Sequence, residues 1–424
     1  MQAALHVCAA TVASETSMTM LGFGGSGACS AQSAVLSLAP GGRTTCINSL
    51  TTSARISNLL FSDYGMGLTS YRYNVGGGGV NVSNPVRAPE TFYVSNGTYD
   101  WDADASGRYF ALLPITMFVN SAPAAMTLEH ASCGSSFANG TGDWYGGYVA
   151  DVLEHFLVDE GLSKISYISP MNEPDNNFGP SPCGQEGLET RGDDHWSVQR
   201  LVDRGLEAKI GILADESSSL SRAKSEYADW LPEVIDMVAH LVHHTYDFPT
   251  DESYSSYAAD VAERFPEKTT WMSEVCCSLG EANGNGRGWS GGYDPTIANA
   301  LMWSGMVYQC ILVAGEAHYD FWTLVSNGIG CDPLDDPTCT TTANADDCSL
   351  RAHDLQDGVI YYDDDYATNG NYELYLTKHF WAYKHFGNFV KPGSPLYPIT
   401  NFESAMTNKG VFVLISKPLG SVRG

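Results

Sequence analysis

The chain has 424 residues, long enough for a large core, and 43% of them are hydrophobic, the share of an ordinary globular protein. Twenty-two basic residues against 49 acidic ones give a formal charge of -27, which repels phosphate backbones and anionic lipid surfaces. Nucleic acid and membrane are therefore not expected partners, and a neutral or cationic substrate is easier to accommodate.

Met1 to Ala13 is mildly apolar but lacks the basic n-region and continuous h-region of a signal peptide. Residues 1–20 are read as an N-terminal segment, either a side-domain strand or a leader remnant. From there to about residue 390, short β-branched runs alternate with amphipathic segments, the pattern of repeated strand-helix units. Eight strands are predicted: GFGGSG at 22–27, LTSYRYNV at 68–75, ITMFVNS at 115–121, ISYISPMN at 165–172, KIGILAD at 209–215, AHLVHHTY at 239–246, TTWMSEV at 269–275 and AHYDFWTLV at 317–325. Val149, Val152, Leu153, Phe156 and Leu157 fall at helical spacing with Gly161 as a stop, and Tyr227, Leu231, Val234, Ile235 and Val238 repeat it. Asp294-Pro295 reads as an N-cap with proline at the first helical position. A last helix near YELYLTKHFWAYKHF is expected to stop at Gly387. No apolar run is long and clean enough to span a bilayer.

Eight strands each followed by a helix predict a closed (β/α)8 TIM barrel over residues 21–389. A doubly wound open sheet is the structural alternative, but it leaves unexplained the polar groups at so many strand ends. Those ends carry Arg72 and Asn74, Asn120, Asn172 and Glu173, Asp215 and Glu216, His244 and Tyr246, Glu274, and Trp322, and in such a barrel the chemistry sits at the C-terminal ends of strands.

Two glutamates stand out. Glu173 in YISPMNEPDNNF and Glu274 in TTWMSEVCC each follow apolar residues that would otherwise finish a buried strand. Glycosidic cleavage needs two carboxyl groups, one to protonate the leaving oxygen and one to attack or stabilise the anomeric carbon. For Asn172-Glu173-Pro174 the simpler reading is a strand-to-loop turn, and for Glu274 a buried carboxylate paired with Arg72. In the functional reading Glu173 is the acid/base, Asn172 donates to a sugar 2-hydroxyl, and Arg72 keeps Glu274 ionised.

His240, His243 and His244 invite a metal site, but alternation puts His240 and His244 on one face and His243 on the other, and no HExxH helix accompanies them. No metal and no cofactor is expected; His244 and Tyr246 are read as hydrogen-bonding partners of the carboxylates. The acidic runs Asp332 to Asp336 and Asp363 to Asp365 lack calcium-loop spacing. Gly76 to Gly79 lacks the Lys-Ser/Thr pair of a phosphate loop and is read as backbone that approaches a ligand closely. Trp101, Trp144, Tyr145, Tyr293 and Trp322 are assigned to mouth loops as sugar-stacking faces, with the core as the alternative for each.

Eleven cysteines, among them Cys331, Cys339 and Cys348 in one polar loop, suggest local disulfides and an oxidising compartment. Vicinal Cys276-Cys277 is read as structural or disulfide-bonded as readily as reactive. Three sequons, at Asn81, Asn96 and Asn139, point the same way, so an extracellular, monomeric protein is expected although the chain shows no clear signal peptide.

At these residues the sequence resembles glycoside hydrolase family 30, and within it the fungal branch that is endo-β-1,6-galactanase-like. The matching stretches are GFGG at 22–25, YRYNVGGGG at 71–79, FVNSAP at 118–123, SPMNEPDN at 169–176, HHTYDFP at 243–249, WMSEVCC at 271–277 and HYDFWTLVSNG at 318–328. The resemblance implies a retaining mechanism on a barrel with a β-rich side domain, Glu173 as acid/base and Glu274 as nucleophile. It implies supporting roles for Arg72, Asn172 and Tyr246, with Trp322 lining the sugar subsite. Asn74, Asn120 and His244 complete the expected substrate-binding set. Residues 390–424 supply about two strands of the side domain, which is expected to be incomplete, and the segment around HWSVQRLVDRGLEAK is short for a barrel helix. The expected activity is hydrolysis of a neutral β-linked polysaccharide, β-1,6-galactan first. Other specificities of that family (β-1,6-glucan, xylan, glucosylceramide) and a non-catalytic carbohydrate-binding barrel are the competing readings.

Overall fold

The computed structural model describes residues 11–12, 18–27, 50–103, 114–276, 297–327, 358–397 and 399–400, apart from 84, 86–87, 135, 181, 191–194, 363–369 and 371. Eight strands, β1 (Gly22–Gly27), β2 (Tyr71–Val75), β3 (Ile115–Val119), β4 (Ile165–Ser169), β5 (Gly211–Ser217), β6 (Val238–His244), β7 (Thr269–Glu274) and β8 (His318–Trp322), close into a barrel in chain order. Every neighbouring pair is parallel. Each of the eight expected strands is present, and the closed sheet decides against the open alternative.

Helices α1 (Leu50–Phe61), α2 (Gly142–Glu154), α3 (His195–Asp203), α4 (Leu220–Asp229), α5 (Asp251–Arg264), α6 (Ile297–Tyr308) and α7 (Lys378–Phe389) follow β1 and β3 to β8. Between β2 and β3 the described residues hold a small hairpin, Tyr93–Ser95 with Thr98–Tyr99, and no helix. Three helices, α4, α5 and α7, start where side chains satisfy free amides: Ser219, Thr250 and Thr377 each accept from the residue three positions on.

Four expectations need correction. The helical spacing through Val238 does not give one helix, because α4 ends at Asp229 and Leu231–Glu233 and Ile235–Met237 form separate 3-10 turns; Pro232 lacks the amide that would continue the ladder. Gly387 lies inside α7 instead of ending it, and a Cβ there would meet the Met66 carbonyl oxygen at 2.2 Å, so this glycine permits close packing. The eighth strand stops at Trp322, and Val325–Asn327 pairs instead with Ile360–Tyr362 in a separate three-stranded sheet completed by Leu374–Leu376. Finally, Ile297–Ala314 is an 18-residue helical stretch apolar enough to cross a membrane by composition. It serves as a core helix, packing on α5 and α7 with Trp303 fully buried against Tyr319, Phe321 and Tyr383. The start predicted at Asp294-Pro295 lies outside the described residues.

The terminal segments meet beside the barrel. Met18–Thr19 pairs antiparallel with Pro395–Leu396, and Thr11–Val12 with Ile399–Thr400, the contact that a side unit shared by both ends requires. At the N-terminal end of the barrel, inward rings close the interior: Trp271 stacks on His240 at 4.5 Å, with His318 at 4.7 Å and Tyr167 at 4.8 Å.

Candidate active site

At the opposite end the interior is charged. Alternation directs Arg72 of β2 inward, where its guanidinium is fully buried and lies 3.6 Å over the Phe118 ring. It donates to Ser26 at 3.0 Å, to Asn172 Oδ1 at 2.8 Å, to Glu216 at 3.2 Å and to Glu274 Oε2. Glu274 ends β7 and accepts a second bond from the Tyr246 hydroxyl at 3.1 Å on Oε1. Its register partner on β6 is His244.

His244 joins the remaining carboxylates. Nδ1 lies 2.8 Å from Glu173 Oε1 and 3.9 Å from Glu274 Oε1, and Nε2 lies 3.0 Å from Glu216 Oε2. Burial works against its charge, but Glu274, Glu173 and Glu216 together push His244 up to about 10. Burial likewise opposes ionisation of Glu216, yet Arg72, His244 and Ser273 outweigh it and hold that group down to about 2. Glu274 is raised by burial and by the charge of Glu173, against the pull of His244 and Arg72. One oxygen of Glu173 and one of Glu274 lie within 4.8 Å of each other. Glu173 and Glu216 hold left-handed backbone angles, φ 44° and 62°, a conformation that costs non-glycine residues energy and gathers at functional sites.

The mouth loops are tied to one another. Asp175, two residues past Glu173, accepts from the amide and hydroxyl of Ser218 at 2.8 and 2.5 Å. Asn176 donates to Glu173 Oε2 at 3.1 Å. A Cys133–Cys183 disulfide spans the loops after β3 and β4, and next to it Gly187–Leu188 pairs with Cys133–Gly134.

A polar, carboxylate-lined mouth at the C-terminal end of a parallel barrel is where enzymes of this fold work, and comparison with known proteins agrees. The model of O-glycosyl hydrolase family 30 matches residues 8–220, half of the chain. The chain belongs to glycoside hydrolase family 30. No curated protein matches it in sequence. Among solved structures it is similar to a conserved exported protein from Bacteroides fragilis, at 18% identity and a TM-score of 0.70, covering 96% of this chain and 86% of that one. An endo-β1,6-glucanase is similar at 17% and 0.64, covering 95% and 84%. The catalytic domain of the family 30 xylanase C from Talaromyces cellulolyticus is similar at 17% and 0.58, covering 91% and 79%. At these identities the likeness is one of fold.

In this family 30 hydrolase, Glu173, Glu274, Arg72, Asn172, His244 and Tyr246 share one network. Asn120 joins it through Asn172, whose Nδ2 donates to Asn120 Oδ1 at 3.3 Å. Trp322 stands half-buried at the end of β8, edge-on to Phe118 at 6.3 Å. Asn74 is fully buried on the same face of β2 as Arg72, so neither presents surface to the mouth. Glu216, expected among the strand-end polar groups but without a role of its own, lies on β5, which runs to Ser217; it enters the barrel beside Ser273, whose hydroxyl donates to it at 2.5 Å. His243 points outward as alternation requires, pairing with the buried Glu316.

Other aromatic assignments do not hold. Trp101 has Tyr99 stacked on it at 4.6 Å and His155 at 3.9 Å, so neither ring face is free for a sugar. Trp144 packs on Tyr93, and Tyr145 is fully buried with its hydroxyl on the Pro170 carbonyl; these belong to the packing between the hairpin and α2. Tyr293, Cys331, Cys339, Cys348 and both acidic runs lie outside the described residues. Gly76 and Gly77 do permit close backbone approach, but to Pro89 and Ala122 of the chain itself. Cys276 is disulfide-bonded. Glu173, His244 and Glu274 are spaced to hold a metal ion, while their oxygens and ring nitrogens also bond to one another and to Arg72, Tyr246, Asn176 and Glu216.

Proposed function

We propose that the protein is a retaining endo-glycoside hydrolase of a neutral β-linked polysaccharide, with β-1,6-galactan the first candidate. The observation that carries this reading is the approach of Glu173 and Glu274 to within 4.8 Å across a closed barrel mouth. Retaining enzymes keep their carboxyl groups about 5 Å apart, whereas inverting ones leave room for a water at roughly 6.5–9.5 Å.

Glu274, with a donor on each oxygen, is the nucleophile: its carboxylate bonds to the anomeric carbon as the glycosidic C–O bond breaks. Glu173 gives its proton to the departing oxygen, then takes one from a water whose oxygen attacks the same carbon and releases Glu274. His244 supplies the acid's proton. The arrangement of imidazolium beside carboxylate and that of imidazole beside carboxylic acid differ only by one proton moving along the 2.8 Å contact, with Glu216 holding the other ring nitrogen in both. Asn172 Nδ2 keeps a second hydrogen for the sugar 2-hydroxyl, and Trp322 offers a stacking face.

The charge of -27 favours a neutral glycan over a polyanion. Galactan is nominated by the sequence resemblance; β-1,6-glucan is the second reading, favoured by the fold likeness to an endo-β1,6-glucanase. Both carboxylates come from one barrel, so a single chain suffices. Action outside the cell is supported by the Cys133–Cys183 disulfide and by the exposure of Asn81, Asn96 and Asn139.

Incubation with β-1,6-galactan, β-1,6-glucan and xylan, with the first-formed anomer followed by NMR, tests the reading. Retention at the anomeric carbon and oligosaccharide products are expected, and an inverted product sinks it. Glu274→Gln is expected to lower kcat by on the order of 10⁴-fold or more; a variant that keeps wild-type turnover removes the nucleophile assignment.

A further inference from the structure

Glu186 is a buried carboxylate that the chemistry above does not use. It lies on the loop after β4, 3% exposed, with no cation among its bonding partners in the described residues: Oε1 accepts from the Gly79 amide at 2.8 Å and Oε2 from Asn120 Nδ2 at 3.4 Å. It thus clasps the loop after β2 and the end of β3 to its own loop, beside the Cys133–Cys183 bridge. Beyond Asn120 the bonds run in one direction. Asn120 Oδ1 accepts from Asn172 Nδ2 at 3.3 Å, and Asn172 Oδ1 accepts from Arg72 at 2.8 Å.

A side-chain amide has a donor end and an acceptor end, and each can be turned over. In this chain a guanidinium, which only donates, stands at one end, and a carboxylate, which only accepts when ionised, stands at the other. Between them both amides are forced head to tail, and the Asn172 NH2 is held as the group that faces away from Arg72.

We propose that Glu186 is a positioning residue that fixes the orientation of the Asn120 and Asn172 amides, and through them the donor offered to the sugar 2-hydroxyl. The last clause rests on the reading of Asn172 given above. Protonation weakens Glu186 as an acceptor and releases the far end of the chain. Burial pushes the group up to about 7, against the donors Gly79, Gly77, Asn120 and Ser132, all uncharged; of the titratable side chains nearby, Tyr148 of α2 is raised by its own burial and by the charge of Glu186. The orientation is therefore set above about pH 7 and relaxes below it.

The test combines structure and kinetics. In crystals of Glu186→Leu, Asn120 is expected to leave its bond to Asn172; unchanged amides overturn the proposal whatever the substrate proves to be. On β-1,6-galactan, Glu186→Leu is expected to lower kcat by on the order of 10-fold with little change in KM. Added to Asn172→Ala it should change kcat by less than about 2-fold, because both substitutions break one chain. A further full 10-fold loss on that background overturns it. Glu186→Gln keeps the volume and serves if the leucine variant does not fold: its kcat/KM profile should lack the ionisation near pH 7 that the wild type shows, and superimposed profiles sink the idea. If the wild type cleaves no glycan, the proposed activity falls, and the crystal structure still decides the role of Glu186.

Discussion

His240 and His244 stand four residues apart on β6 with their rings on the same inward face, and their protons are held in opposite ways. His240 lies among the rings that close the N-terminal end of the barrel, where burial, with His318 and Lys268 adding to it, pulls it down to about 4. His244 is more deeply buried, yet three carboxylates push it up to about 10. One strand thus passes from an aromatic plug to an ionic lattice within two inward positions. Burial alone does not set the charge of a group; what shares the burial does.

The ionic end should break hardest. Replacing Arg72 by methionine leaves Glu216 and Glu274 without their common cation, and a loss of about 3–5 kcal/mol is expected in urea unfolding, with kcat/KM falling as well. A loss below about 1 kcal/mol would mean that the guanidinium does not hold this end together.

The next effect is on titration. Histidine ring NMR should find His244 protonated through neutral pH and His240 neutral until the pH falls towards 4; two ordinary midpoints near 6.5 would erase the contrast. The linkage signs follow. Between about 6.5 and about 10 the folded protein holds the His244 proton that the unfolded chain releases, so stability declines as pH rises through that window. Between about 6.5 and about 4 the unfolded chain takes up a proton that His240 refuses, so stability declines as pH falls.

The smallest effect is expected for His240→Phe, which keeps a ring against Trp271 and removes a group whose ionisation burial opposes. Turnover should stay within about 2-fold of wild type, and the acid-side decline in stability should lessen. A large fall in kcat would tie the plug to the chemistry.

The barrel was legible because its strands are short, β-branched and separated by polar turns, and the eight runs lie where the alternation puts them. The same alternation separated His243 from His240 and His244. Helix ends were less legible, since Pro232 cuts a spacing that still looks periodic, and Gly387 serves a contact with Met66 that only the packing reveals. At the site, the residues on strand ends could be read one by one. Glu216 is legible as a strand-end carboxylate but not as a member of the network, because its partners Arg72, His244 and Ser273 come from three other strands. Glu186 gave no sign, because it sits in a loop and its partners Gly79 and Asn120 belong to other strands' loops. Trp101 was misassigned because composition cannot tell whether both faces of a ring are already occupied.

The ionic end has a charge count with a chemical consequence. Two cations, Arg72 and His244, face three carboxyl groups, Glu173, Glu216 and Glu274. Counted with the one proton that His244 and Glu173 share, the assembly carries a single net negative charge whichever of the two holds that proton. In the proposed reaction that proton leaves with the aglycone oxygen just as the ring carbon becomes cationic. The assembly then gains a second negative charge at the moment a positive charge appears beside it, and it returns to its starting charge when the incoming water gives its proton back.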